Sequence, residues 1–321
     1  MGSWIKTKME TYDKRVTPAI EARNANFFKY TFERDEKVYF SLTQNEKGNE
    51  NRYKIKNNII DFGFNKMKIE SIDSVNLIVV ELEDNQITNN STRIYFTKEQ
   101  AFLDKLPMEK DGFYVANNDT VFFESNKIYP VFKHKTISDA TTFIQPFVEG
   151  LSKGNESFAL ITFVLNTDGK ISDIKMHHHI NKAYDKNVEK AIFKTQGSWI
   201  SPIVNGKKVN VLKVIEYAYM SSAGLSTDDF KADPINYTHK SGLFPEEYRK
   251  VFKNAVKLIY REEYKNALEL YAQCLKLTPD KSNIDYQKSI IFTLLNDIPN
   301  SNLFIEAVKK SNLKYLISDK K

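Results

Sequence analysis

The sequence predicts an α+β fold of more than one domain, and three stretches of differing period predict it. Short alternating apolar runs crowd residues 38–96, a strand-strand-helix-strand order fills Phe158 to Tyr219, and from Pro245 the apolar residues fall at helical steps. At 321 residues the chain is long enough for two to three domains with ordinary cores. The expected division is a β-rich domain over 1–125, a mixed module over 126–225, a linker over 226–244 and helices over 245–321.

The first domain begins without clear periodicity. Met1-Gly2-Ser3 reads as a start left by cloning, and no apolar signal region follows it. Thr17-Pro18 is a helix-start signal, with Ile20, Phe27, Phe28 and Tyr30 after it, so a helix packing onto a sheet is expected. Strand-like runs then succeed one another: Val38–Leu42, Arg52–Lys56, Ile59–Phe64, Lys66–Ile72, Val75–Leu82 and Thr92–Phe96. Turn clusters such as Asn45-Glu46-Lys47-Gly48-Asn49 and Asp84-Asn85 separate them, which predicts an antiparallel meander closing into a partial barrel. At fold level this is similar to lipocalin-like barrels, so the interior is either filled by side chains or open to a small apolar ligand.

The middle module is the most strongly punctuated. Ala159–Leu165 is an apolar run, Asn166-Thr167-Asp168-Gly169 is a tight turn, and Ile171–Met176 resumes in alternation, which together read as a hairpin. Ala183, Tyr184, Val188, Ala191, Ile192 and Phe193 follow at helical spacing until Gly197. After Trp199, Pro202 and the Asn205-Gly206 turn, Val209–Ile215 makes a third strand.

At these residues the segment resembles the C-terminal domain of the TonB energy-transducer family. The similarity lies in the ordered set "NTDGKISDIKM", "DKNVEKAI" and "GSWISPIVNGKKVNVLKV". In the last of these, Trp199, Pro202, Asn205-Gly206-Lys207 and Val209 resemble the family's Trp-x-Pro-Gly-x-x-x-Gly-Lys-x-Val pattern. Tyr129-Pro130-Val131-Phe132 and Phe143-Ile144 resemble its lead-in. The likeness covers residues 126–220, and it departs from the family where Ile203 follows Pro202 and where no Tyr-Pro occurs over 145–157.

The resemblance implies a binding mode rather than energy transduction. No apolar run of about 18 residues occurs, and the nine prolines are scattered, so neither a membrane anchor nor a Pro-rich spacer is present in the sequence. The family's module pairs a sheet edge with an extended peptide of an outer-membrane receptor, main-chain bonds giving affinity and alternate side chains selectivity. The implied contact residues are Val209, Val211, Lys213, Ile215 and Tyr217 on the last strand. The competing reading makes this sheet a scaffold whose edge is blunted by Lys207, Lys208 and Lys213.

Ser221–Thr227 is small and polar, reads as a connection, and leads into non-periodic residues 228–242. Beyond it, Val251, Ala255, Leu258, Tyr264, Ala267, Leu268, Tyr271, Cys274 and Leu275 recur at helical steps until Thr278-Pro279. They are similar to one tetratricopeptide repeat, with Ala255 and Ala267 at the helix crossing and Arg261-Glu262-Glu263 in the turn. A second unit, Ile284–Leu295 and Leu303–Val308, is less repeat-like. One good unit is too short for a free-standing array. The helices therefore either cap the module or leave a groove for a partner.

Candidate chemistry is thin. A charge of +6 is spread along the chain with no block of like charges, which gives no nucleic-acid or membrane-surface stripe. The one cysteine, Cys274, excludes an internal disulfide and reads as a buried small hydrophobe. In His177-His178-His179 a regular strand would turn His177 and His179 to one face and His178 to the other. Two imidazoles fall short of a catalytic zinc set, and Asp173 would lie about 13 Å along the strand, so no metal and no cofactor is expected. No nucleophile elbow, phosphate loop or dinucleotide fingerprint occurs, and Trp199 reads as core. The expectation is a non-enzymatic protein of a Gram-negative envelope, periplasmic or envelope-attached. Its implied partner is an envelope protein or peptide of the outer-membrane-receptor kind, engaged by strand addition; the alternative is a carrier of a small apolar ligand in the N-terminal barrel.

Overall fold

The computed structural model describes residues 1–44, 47–134, 137, 140–149, 151, 156–220 and 244–318. The chain forms two compact units, one of 1–110 with 125–139, the other of 111–124 with 140–321. These do not coincide with the divisions expected at 125/126 and 225/245. The expected linker falls almost wholly outside the described residues, and the helices beyond it share a core with the mixed sheet.

The first unit contains β1 (Gly2–Thr11), α1 (Pro18–Ala25), β2 (Lys29–Phe32), β3 (Lys37–Ser41), β4 (Asn49–Arg52), β5 (Lys54–Lys56), β6 (Ile59–Asp61), β7 (Lys66–Ile72), β8 (Asn76–Glu81), β9 (Thr92–Lys98) and α2 (Glu99–Lys105). The nine strands form one antiparallel sheet in the order β4-β3-β2-β1-β9-β8-β7-β6-β5. Its two end strands are joined by Tyr53 alone, so the sheet is nearly closed and barrel-like. Asn57-Asn58 and Asp84-Asn85 adopt positive φ, the conformation that two-residue hairpin turns require.

β1 was not expected from the sequence, because a bulge between Lys6 and Lys8 resets its alternation. Gly2 and Ser3, read as a cloning remnant, pair with Phe32 and Thr31. Thr17 caps α1 as its position predicts, accepting from the Ile20 N–H. The buried Lys6 ammonium closes the other end, donating to the carbonyls of Arg23, Asn24 and Asn26.

The second unit is built on β10 (Phe113–Ala116), β11 (Asp119–Phe123), α3 (Ala140–Val148), β12 (Glu156–Leu165), β13 (Ile171–His178), α4 (Lys182–Lys194) and β14 (Asn210–Met220). The expected β-β-α-β order is β12-β13-α4-β14, and the five strands lie in the order β10-β11-β14-β12-β13. The hairpin β10–β11, turning at Asn117-Asn118, had no counterpart in the sequence reading. It places β11 parallel to β14. Asn181 caps α4 and Gly197, at φ +81°, follows its end. Of the expected apolar stripe of α4, Tyr184, Val188, Ala191 and Ile192 are buried, and Ala183 and Phe193 are exposed.

Four further helices complete the unit: α5 (Glu246–Tyr260), α6 (Tyr264–Leu277), α7 (Ser282–Leu294) and α8 (Ile298–Lys309), with a final turn α9 (Tyr315–Ser318). Ala255 and Ala267 are fully buried between α5 and α6, and Glu262 takes the left-handed conformation (φ +61°) where a glycine is usual. Phe158 and Leu160 of β12 join Tyr248, Phe252, Ala255, Tyr271 and Cys274 in one core. The helices therefore cap the sheet. Cys274 is buried as expected, and burial pushes its thiol up to about 12.

Candidate functional site

Two features of the second unit carry functional geometry: the outer side of β14 and a cleft beside α4. β14 is flanked on both sides at its start. It pairs antiparallel with β12 along its whole length, Leu165↔Val211 through Glu156↔Met220, and parallel with β11 from Val121↔Asn210 to Phe123↔Leu212. β11 then ends. The Glu124 N–H donates to the Leu212 carbonyl at 3.3 Å, and the Glu124 carboxylate accepts from the Val214 N–H at 3.4 Å. Backbone groups of a strand alternate sides, so those of Glu216 and Ala218 also point away from β12. No strand pairs with them among the described residues.

The expected contact residues sit differently. Val209 lies just before β14, donating its N–H to the Pro202 carbonyl. Val211, Lys213, Ile215 and Tyr217 spend their main-chain bonds on β12 by the same alternation. Val211 and Ile215 are buried, and Lys213 makes a 2.6 Å ion pair with Glu124 and has Trp199 nearby, its Nζ 6.0 Å from the ring centroid. Tyr217 is half-buried, its ring 6.1 Å from that of Tyr184. Lys207 and Lys208 pair with Ile203-Val204 in a separate small hairpin. Trp199 is core, edge-on to Phe163 and donating to Thr195 Oγ1 at 2.8 Å.

The histidine run is reoriented by a bulge. The β12–β13 register slips between Leu160↔His178 and Ile161↔Met176, so His177 and His178 both face α5. His177 Nε2 and Tyr260 Oη both bond Thr162 Oγ1, at 2.8 and 2.7 Å. His178 Nε2 bonds Tyr248 Oη at 3.1 Å beside Phe158, Phe244 and Phe252. Burial pushes both imidazoles down to about 3. The expected pairing of His177 with His179 on one face is thereby overturned.

His179 lies on the α4 side instead. Its Nδ1 is 2.7 Å from Asp185 Oδ2, which also accepts the Tyr315 hydroxyl at 2.5 Å. An ionised carboxylate only accepts, so the His179 proton sits on Nδ1 and, in the neutral ring, Nε2 is a lone-pair acceptor. That Nε2 is buried and has no hydrogen-bond partner among the described residues. His179 borders a cleft of about 310 Å³ with Ile161, Ile174, Met176, Val188 and Leu316 among its apolar walls. Nothing in the sequence paired His179 with Asp185 or Tyr315; the six-residue step from strand to helix N-terminus was the one local hint for Asp185.

At its C-terminal end the outer edge of β13 meets a helix rather than a strand. Asn283 of α7 mimics a neighbouring strand, accepting from the His179 N–H at 2.6 Å and donating to the His179 carbonyl at 3.0 Å. Gln287, one turn on, donates to the His177 carbonyl at 2.6 Å. In the core of the first unit Tyr30, Phe32, Phe62 and Phe96 pack with ring centroids 5.3 to 6.4 Å apart, beside Trp4, Met67 and Leu77. Among known protein families, curated proteins and solved structures, none matches this chain.

Proposed function

We propose that the chain is a non-enzymatic binding protein of a Gram-negative envelope whose second unit, a TonB-C-like module, docks an extended segment of a partner protein by strand addition along the last residues of β14. The observation that carries this is the early end of β11. Its pairing stops at Leu212 whereas β14 runs on to Met220, so two outward sets of main-chain groups, at Glu216 and Ala218, stand where an added strand would continue the parallel ladder. Strand addition draws its affinity from such groups. The bonds that Asn283 and Gln287 make at the C-terminal end of β13 remove that end as a docking edge. The tetratricopeptide-like helices act as scaffold in this reading, since they bury the other face of the sheet.

The test uses the full chain as bait on outer-membrane extracts, with Ala218→Pro as the matched bait. Proline removes the outward N–H at 218 and leaves the β12 ladder untouched, because that ladder uses the odd-numbered residues. A protein retained by the wild type and lost by the variant is then purified and mixed with the chain. Amide exchange should slow over 214–220. Retention unchanged by Ala218→Pro, or protection confined to another element, overturns strand addition.

A further inference from the structure

The cleft beside α4 lies apart from the residues of the proposed docking edge and stands or falls independently of it. Its floor is apolar, made by Ile161, Ile174, Met176 and Val188. Among the described residues that line it, His179 is 7% exposed, and its Nε2 is buried without a hydrogen-bond partner. Asp185 holds the tautomer that makes this atom an acceptor, and the Tyr315 hydroxyl in turn holds Asp185. A buried acceptor costs free energy until a donor reaches it. Water leaves an apolar floor of this kind wet, whereas an apolar molecule bearing one hydroxyl satisfies floor and acceptor together.

Among the described residues the charge along the rim is balanced. Lys182, Asp185, Lys186 and Glu189 follow one another along the α4 rim, two cations against two carboxylates, so neither a strong anion nor a strong cation is favoured. No group of three or more His, Cys, Asp or Glu side chains able to hold a metal ion occurs among the described residues. The cavity is at the small end of ligand pockets, about 300–1,000 Å³. We propose that it binds a small apolar molecule with a single hydroxyl, a phenol being the simplest form, the ring lying on Ile161, Ile174 and Met176 and the O–H donating to His179 Nε2.

The experiment compares 4-ethylphenol with 4-ethylanisole on the full chain. Both have the same apolar body, and the methyl ether lacks the donor. Binding is followed through the Met176 methyl and the His179 imidazole nitrogen signals by NMR. The phenol should bind at least about tenfold more tightly, since a site built to receive a hydroxyl rejects the analogue without one. His179→Phe should erase that preference. Where this variant fails to fold, Asp185→Asn serves: its amide can donate to Nδ1, turning Nε2 into a donor, and the preference should again vanish. Equal affinities, absence of phenol binding up to about 10 mM, shifts remote from Met176 and His179, or binding abolished by EDTA would each overturn the proposal.

Discussion

Removing the Asn283 amide should destabilise the second unit by opening the edge of β13. The side chain is almost wholly buried and makes two bonds to one residue's backbone, 2.6 Å from the His179 N–H and 3.0 Å to its carbonyl. In Asn283→Ala those two main-chain groups lose their partner in a dry interface. Each buried unsatisfied group costs about 1–3 kcal/mol, so the loss is on the order of 3 kcal/mol once partial relaxation is allowed. With a urea slope of about 2.5 kcal/mol/M, the unfolding midpoint should fall by about 1.2 M. The chain has two tryptophans, Trp4 in the first unit and Trp199 in the second. Trp199 fluorescence in a Trp4→Phe background therefore reports the second unit alone. Asn283→Asp keeps the acceptor for the His179 N–H and loses the donor, and should fall between the two. A midpoint shift below about 0.3 M for Asn283→Ala, with the slope unchanged, would show that the amide does not carry the helix–strand junction.

The remaining predictions concern protonation and backbone conformation. Burial holds His177 and His178 near 3 in the folded chain against an ordinary 6.5, with His179, when protonated, adding to the effect. Between those values the unfolded chain binds the extra protons, so stability rises with pH there and is lost as pH falls from about 6.5 toward 3. Urea midpoints of the second unit at pH 7.5, 6 and 5 should decline in that order, with a shallower decline in His178→Phe; a flat series refutes it. Glu262 is exposed at φ +61°, and Glu262→Gly should stabilise the α5–α6 turn by about 0.5–1 kcal/mol, read as a rise in the same midpoint.

Much of the architecture was legible from local rules. Period two marked several strands of the first unit, where one face is buried and the other wet. Asp84-Asn85, Asn166–Gly169 and Asn205-Gly206 marked turns through their tolerance of positive φ. Gly197 and Thr17 marked helix ends, while the Asn181 cap emerged only in the structure. Cys274 and Trp199 were read correctly as core, since small or large apolar groups at periodic positions are seldom exposed.

What depended on tertiary structure was everything set by register or by long-range partners. The bulge at Lys6–Lys8 hid β1, and the bulge opposite Leu160 moved His178 onto the face of His177; both arise from pairing with a strand distant in sequence. Val211, Lys213, Ile215 and Tyr217 alternate along the last strand, yet β12 takes their main-chain bonds. The insertion of β11 from residues 119–123 decides which part of β14 stays open. His179, Asp185 and Tyr315 meet across 136 positions of chain, 315 − 179, and Asn283 reaches His179 across 104. Local sequence sets period, caps and turns because those act within a few residues; which strands become neighbours, and which polar groups meet, follows from packing the whole apolar surface at once.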